Sequence, residues 1–246
     1  MKINKIALIV TDTTRSKVYL SLLEYHNLLP KFILYLRDRK LKYIYSNKLN
    51  LKKNNIVKNK YINEFKKLKI DIDFNIQDKL SKLKTVYKSF DTTDIHRSDV
   101  IDLIKNRNED TFIYSGYPGV IIKNKEILKI KKFLHIHGGY LPKYKGSTTN
   151  YFSIIERNKV GASAIILNND IDSGPILYRK EFSAPLFKES MDHLYDSYFR
   201  GQVLIKTLKK IAKNKNKILP LRKKDQKTSE NYYIIHPVLK HIAIML

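Results

Sequence analysis

The first readable pattern is Ile6–Val10 (IALIV), an unbroken apolar run of strand length that gives way to polar Thr11-Asp12-Thr13-Thr14. A short apolar run rich in β-branched residues predicts a strand buried on both faces. From Ser16 to Leu28 the apolar residues fall at Val18, Leu22, Leu23 and Tyr25, the spacing of one helical face. Phe32–Leu36 (FILYL) then repeats the buried-strand pattern. Strand, helix and strand in such quick succession predict a βαβ unit and therefore a parallel sheet.

Residues 37–69 are charged and poorly periodic, compatible with a loop or a short helix. Strand-like runs return at Thr85–Tyr87, Thr111–Tyr114, Lys132–Ile136, Gly161–Leu167 and Ile176–Phe182, the last two as a pair. Helical spacing marks Asp99–Ile104, Asn124–Lys129, Thr148–Glu156 with Ser147 or Thr148 as its cap, and a long amphipathic stretch Ser190–Lys213. Tyr232–Ile235, Pro237 and a short apolar end complete the sequence. The pattern predicts one α/β domain over residues 1–213 and a short C-terminal extension over residues 214–246.

Composition supports a folded chain, with hydrophobic residues at 43% and charged residues at 29%. No apolar run approaches the ~18–20 residues that span a bilayer, and the apolar start falls short of the ~7–15 residues of a secretory core. With no cysteine, thiolate metal sites and cysteine nucleophiles are excluded. These features predict a cytoplasmic protein without a membrane partner. Lys+Arg 48 against Asp+Glu 23 gives a formal charge of +25. The lysines are scattered among Asn, Ile and Tyr throughout, and runs such as Lys58-Asn59-Lys60 or Lys206 to Lys217 read as solvated faces. The charge therefore predicts no dedicated nucleic-acid role.

The chemistry lies in residues 133–176. His135 and His137 stand two apart at a strand end and share a face. Gly138-Gly139 permits a sharp turn, and Leu141-Pro142-Lys143-Tyr144-Lys145-Gly146 forms a rigid basic loop before a helix. Farther on, Asp172 sits in the turn Asp170-Ile171-Asp172-Ser173-Gly174-Pro175, where Asp170 reads as a turn residue. Two histidines and a carboxylate also match a metal-binding triad, so that alternative stands on the residues alone.

This segment resembles the folate-dependent formyltransferase family, which includes the methionyl-tRNA, glycinamide ribonucleotide and sugar-nucleotide N-formyltransferases. The family carries Asn-x-His, a Leu-Pro-x-Tyr-x-Gly loop and an aspartate in an Asp-x-Gly-Pro-type turn. His137, the loop Leu141–Gly146 and Asp172 match those positions, while His135 occupies the place of the asparagine. Tyr114-Ser115-Gly116-Tyr117-Pro118-Gly119-Val120-Ile121 resembles the loop that holds the folate pterin.

The resemblance implies a Rossmann-like fold, with a mostly parallel central sheet flanked by helices. It also implies transfer of a formyl group from 10-formyltetrahydrofolate to an amine. The catalytic residues implied are His137, Asp172 and His135, the last donating to the oxyanion in place of asparagine. Tyr114, Gly116, Tyr117, Gly119, Val120 and Ile121, with Leu167, Asn168, Asn169 and Asp170, are the implied folate contacts. No metal is implied.

For the acceptor, only about thirty residues follow the last long helix, too few for the RNA-binding barrel of the tRNA enzymes. Thr11-Asp12-Thr13-Thr14-Arg15-Ser16 replaces the Gly-Asn-Gly-Ser phosphate loop of the purine enzymes. Thr13 and Arg15 are candidates for a phosphate at a helix start, and Ser16 reads equally well as simply the cap of that helix. What remains is a nucleotide-linked amino sugar, of the kind used in surface polysaccharides such as lipopolysaccharide. Lys145, Gly146, Ser147, Thr148, Thr149 and Asn150 are its expected contacts, and a homodimer is expected by family analogy. Altered chemistry with a different acyl donor, or an inactive basic binding module, are the alternatives that His135 leaves open.

Overall fold

A computed structural model describes residues 5–38, 60–186, 188–221 and 230–246. Much of the charged stretch 37–69, including Lys58 and Asn59, lies outside the described residues. The chain forms two compact units, Met1–Phe133 and Leu134–Leu246.

The first unit contains β1 (Ile6–Thr11), α1 (Thr14–Tyr25), β2 (Phe32–Leu36), α2 (Lys60–Lys67), α3 (Ile76–Lys82), β3 (Val86–Phe90), α4 (Ser98–Asn106), β4 (Thr111–Tyr114) and α5 (Lys125–Ile130). Its strands run in the order β3-β2-β1-β4 and every pairing is parallel, with Leu8 opposite Ile33 and Ile113. All residues of β1, β2 and β4 are buried, which is why their sequences show unbroken apolar runs rather than alternation. β3 is the exposed edge, polar and led by Val86. The C-terminal ends of β1 and β4 place Thr11 and Tyr114 at the side where ligands of such folds bind.

Thr13 caps α1, its hydroxyl accepting from the Ser16 amide, so Ser16 is not the cap. Helix α3 had no visible signal in the sequence: only Ile76 and Leu80 are buried, behind an Asn75 cap.

The second unit contains most of β5 (Lys132–His137), then β6 (Tyr144–Gly146), α6 (Thr149–Arg157), β7 (Lys159–Ile166), β8 (Ile176–Ser183), α7 (Asp196–Lys213), β9 (Glu230–Tyr232) and α8 (Pro237–Met245). β7 pairs antiparallel with both β5 and β8, placing His137 opposite Ser163. The expected helix from Ser190 begins instead as a 3-10 turn and a π turn, and regular α-helix starts at Asp196. β6 pairs in parallel with β9, joining the Leu-Pro-x-Tyr-x-Gly loop to the C-terminal segment. Among the described residues no helix is long and apolar enough to cross a membrane.

Candidate active site

In the second unit, β5 carries His135 and His137 to its C-terminal end, and the turn between β7 and β8 returns Asp172 to meet them. Nδ1 of His137 lies 3.2 Å from Oδ2 of Asp172. Nε2 of His137 donates to the Tyr144 carbonyl at 2.7 Å, because a carbonyl only accepts. Both ring nitrogens thus face acceptors, an arrangement that accommodates a doubly protonated ring. Only 4% of His137 is exposed.

Asp172 is held as firmly. Its Oδ2 accepts from the Gly146 amide at 2.9 Å, and its backbone lies in the left-handed region with φ 49°. Burial alone would raise its carboxyl. The charge of His137, the His137 hydrogen bond, the Gly146 N–H and the charge of His135 more than offset that and hold it well below the ordinary carboxylate range. Gly174 makes the turn possible: a Cβ there would sit 1.7 Å from the Ile166 carbonyl oxygen. Leu167 is half-buried, whereas Asn168, Asn169 and Asp170 are exposed, with the Asp170 amide donating to the Asn168 side chain at 3.2 Å. Lys145 reaches Ser173 at 3.4 Å.

Behind the histidines, polar groups fix the strand end. Thr149 donates to the Gly138 carbonyl, and the Asn150 amide donates to Asp196 at 3.2 Å while its oxygen accepts from the Gly161 amide at 2.7 Å. Arg200 donates to Asp196 at 2.6 Å and to the Ile136 carbonyl at 2.9 Å. Thr149 and Asn150, expected to face an acceptor, are buried within this network. Ser147 is exposed; Thr148 occupies the N-cap of α6 without making a cap bond, and its hydroxyl engages Tyr233 and Ile235 instead. Ser163 bridges the turn, donating to the Gly139 carbonyl at 2.7 Å and accepting from the Leu141 amide at 2.9 Å.

The first unit holds the loop after β4. Thr11 donates to the Ser115 carbonyl at 2.9 Å, and Ser16 and Ser115 share a hydroxyl contact at 2.8 Å. Arg15 donates to the Gly116 carbonyl and to the Ser115 hydroxyl, so its guanidinium braces this loop. Gly116 lies against the Tyr114 ring, and Gly119 takes φ +78°, a conformation natural to glycine. Tyr114 is buried, its hydroxyl pushed up to about 12 by desolvation and donating to the Val120 carbonyl at 3.3 Å. Pro118, Gly119 and Ile121 are exposed.

Beside this loop, the Tyr35 hydroxyl donates to Asp12 at 2.6 Å, and Tyr117 accepts from the Asp38 amide at 3.0 Å. Burial raises the Asp12 carboxyl despite its bond from Tyr35.

Four supports of the histidine–aspartate pair have no counterpart among the expected residues: the Tyr144 carbonyl, Ser163, Asp196 and Arg200. A carbonyl leaves no trace in side-chain identity. The Gly138-Gly139 pair was the available signal for Asp196 and Arg200, since a Cβ at Gly138 would meet both of them. Among the described residues no group of three or more His, Asp or Glu side chains is arranged to hold a metal ion.

A methionyl-tRNA formyltransferase of Rickettsia bellii is 31% identical over 126 residues, which is 49% of this chain and 40% of that relative. The chain therefore matches well under two thirds of that relative's length. Among solved structures, a sugar N-formyltransferase from a Shewanella species superposes with a TM-score of 0.55 at 15% identity, covering 97% of this chain and 86% of its own. WlaRD, a sugar 3N-formyl transferase solved in the presence of dTDP and 5-N-formyl-THF, gives a TM-score of 0.55 at 16% identity, covering 94% of this chain and 70% of its own. These two likenesses establish the α/β, Rossmann-like fold. The sequence profile described as Formyl transferase matches residues 45–205, well over half of the chain. With that match spanning both His137 and Asp172, this chain belongs to the formyl transferase family.

Proposed function

We propose that this protein moves a formyl group from 10-formyltetrahydrofolate to the amine of a nucleotide-linked amino sugar. The observation that carries the reading is the buried His137–Asp172 contact at 3.2 Å, in a chain of this family. The amine nitrogen attacks the formyl carbon to form the new C–N bond. The bond between that carbon and N10 then breaks, and the proton shed by the amine ends on N10. The products are a formamide and tetrahydrofolate. An oxyanion develops between these steps, and His135 and His137 are the groups able to donate to it. Passing a proton through His137 exchanges one of its two bonds, that from Nε2 to the Tyr144 carbonyl. Asp172 keeps the charge that the ring balances.

Donor recognition on this reading uses main-chain groups. In the first unit the exposed Pro118-Gly119 stretch, and independently in the second the exposed Asn168-Asn169-Asp170 stretch, are the proposed contacts to the pterin edge, with Pro118 able to offer only its carbonyl and the Asp170 amide already held by the Asn168 side chain. Lys145, Gly146, Ser147 and Thr148 are the proposed acceptor contacts of the second unit, and Thr149 and Asn150 hold their backbone from behind. In the first unit, Arg15 braces the loop after β4, and Thr13 caps α1 beside it. The amino-sugar assignment draws on the sugar N-formyltransferases whose folds cover nearly the whole chain, and a dimer in solution belongs to the same reading.

Isothermal titration with 5-formyltetrahydrofolate is the direct test, followed by turnover with a dTDP-linked amino sugar. Saturable micromolar binding, with turnover reduced roughly 100-fold or more in His137→Ala, is expected. Near-normal turnover in that variant removes His137 from the chemistry. The absence of any folate binding by folded protein sinks the reading.

A further inference from the structure

The three residues of β6 face two ways. In a β-strand the N–H and C=O of one residue point to the same edge, and successive residues alternate edges. Tyr144 and Gly146 share one edge: the Tyr144 carbonyl takes the Nε2 proton of His137, and the Gly146 amide donates to Asp172. The opposite edge pairs with β9, in register from Tyr144 opposite Glu230 to Gly146 opposite Tyr232, and the Ser147 amide donates to the Tyr232 carbonyl at 3.0 Å. One side of this strand therefore holds the histidine–aspartate pair and the other holds the C-terminal segment.

Independent contacts fasten that segment. The Tyr232 ring packs 4.6 Å from Phe152 and 5.4 Å from Tyr144, centroid to centroid. Its hydroxyl donates to Glu156 at 2.9 Å, and the same carboxylate accepts from the Tyr144 hydroxyl at 2.8 Å. The Ile235 amide donates to Thr148 at 2.9 Å. Gly146, at φ +99°, lies so close that a Cβ would approach the Tyr232 carbonyl oxygen to 2.0 Å.

We propose that Tyr232 is a positioning residue: by clamping β9 onto β6 it sets the Tyr144 carbonyl and the Gly146 amide, and through them the geometry of His137 and Asp172. The statement about geometry stands on the contacts alone; its effect on turnover rests on the formyl-transfer reading above.

The test is residue-resolved hydrogen exchange on the full-length Tyr232→Ala and Tyr232→Phe proteins, with kcat and KM measured using 10-formyltetrahydrofolate and a dTDP-linked amino sugar. In Tyr232→Ala the Gly146 and Ser147 amides should exchange at least tenfold faster, while amides of β7 such as Ser163 keep wild-type protection. In the same variant kcat should fall roughly 10- to 100-fold with the KM for the folate little changed, since a displacement of about 1 Å is enough for such losses. Tyr232→Phe keeps the ring and the backbone pairing, and should restore both readouts. Unchanged exchange at Gly146 in Tyr232→Ala overturns the proposal. So does an equal loss of protection at Gly146 and throughout β7, which would make the segment a general stabiliser. A wild-type protein without formyl transfer would defeat the proposed function, yet the exchange comparison would still decide the clamp.

Discussion

Asp172 presents a single carboxylate oxygen, Oδ2, both to Nδ1 of His137 at 3.2 Å and to the Gly146 amide at 2.9 Å. Two hydrogen-bond donors on one oxygen of a buried acid favour its charged form strongly. Asp172→Asn keeps the shape and removes that charge, so turnover should fall by roughly 100-fold or more. The pH dependence of stability gives a second check. Because the folded carboxyl lies below its ordinary value of 3.8, the folded state binds that proton less tightly than the unfolded state. Its contribution is complete above that value and fades as pH drops further, toward the depressed folded one. Urea midpoints of wild type and Asp172→Asn should therefore converge as the pH is lowered from neutrality below 4.

Asp12 obeys the opposite sign. Burial raises its carboxyl above the ordinary 3.8, so the folded state holds the proton more tightly and the ionised side chain costs stability once pH passes the folded value. Asp12→Asn retains an oxygen for the Tyr35 hydroxyl and removes the buried charge. Its thermal midpoint should exceed that of wild type at pH 7, with the gap closing as pH falls toward 4. A midpoint at pH 7 below wild type would contradict this account.

Gly174 is irreplaceable for a steric reason. An alanine there brings its Cβ to 1.7 Å from the Ile166 carbonyl oxygen, at the neck of the turn that carries Asp172. Gly174→Ala should lower stability by about 1–3 kcal/mol, the usual cost of overpacking. It should lower kcat and also weaken 5-formyltetrahydrofolate binding, because the same turn carries Asn168 to Asp170; titration of the same sample would reveal the second loss.

Arg200 and Asp196 form a pair whose side chains are only 17% and 23% exposed, and Arg200 also holds the Ile136 carbonyl next to His137. Arg200→Leu leaves the Asp196 carboxylate without that cation and should cost roughly 2–3 kcal/mol in urea unfolding. Combining it with Asp196→Ala should cost less than the sum of the two single changes by at least ~1 kcal/mol.

Much of this was written plainly in the sequence. The runs IALIV and FILYL revealed β1 and β2 because strands buried on both faces need apolar residues throughout. His137 and Asp172 were legible through the turn residues that bring them together. What stayed hidden shares a physical cause: it depends on backbone groups or distant pairing. Glu230-Asn231-Tyr232 has no alternation of its own and becomes a strand only against β6. Thr149 and Asn150 read as ligand contacts because a polar side chain does not disclose whether its partner is a sugar or the protein's own main chain. The seven residues of α3 bury too little apolar surface to show a period.

Because main-chain atoms of Tyr144 and Gly146 grip His137 and Asp172, that grip itself does not depend on which side chain stands at Lys145 between them. Length is what cannot drift. Deleting or inserting one residue between Tyr144 and Gly146 would turn the gripping edge toward β9 and the pairing edge toward the histidine. A grip made by main-chain atoms is thus set by spacing, and a change of length in this three-residue strand is costlier to the pair than a change of side chain at its middle position.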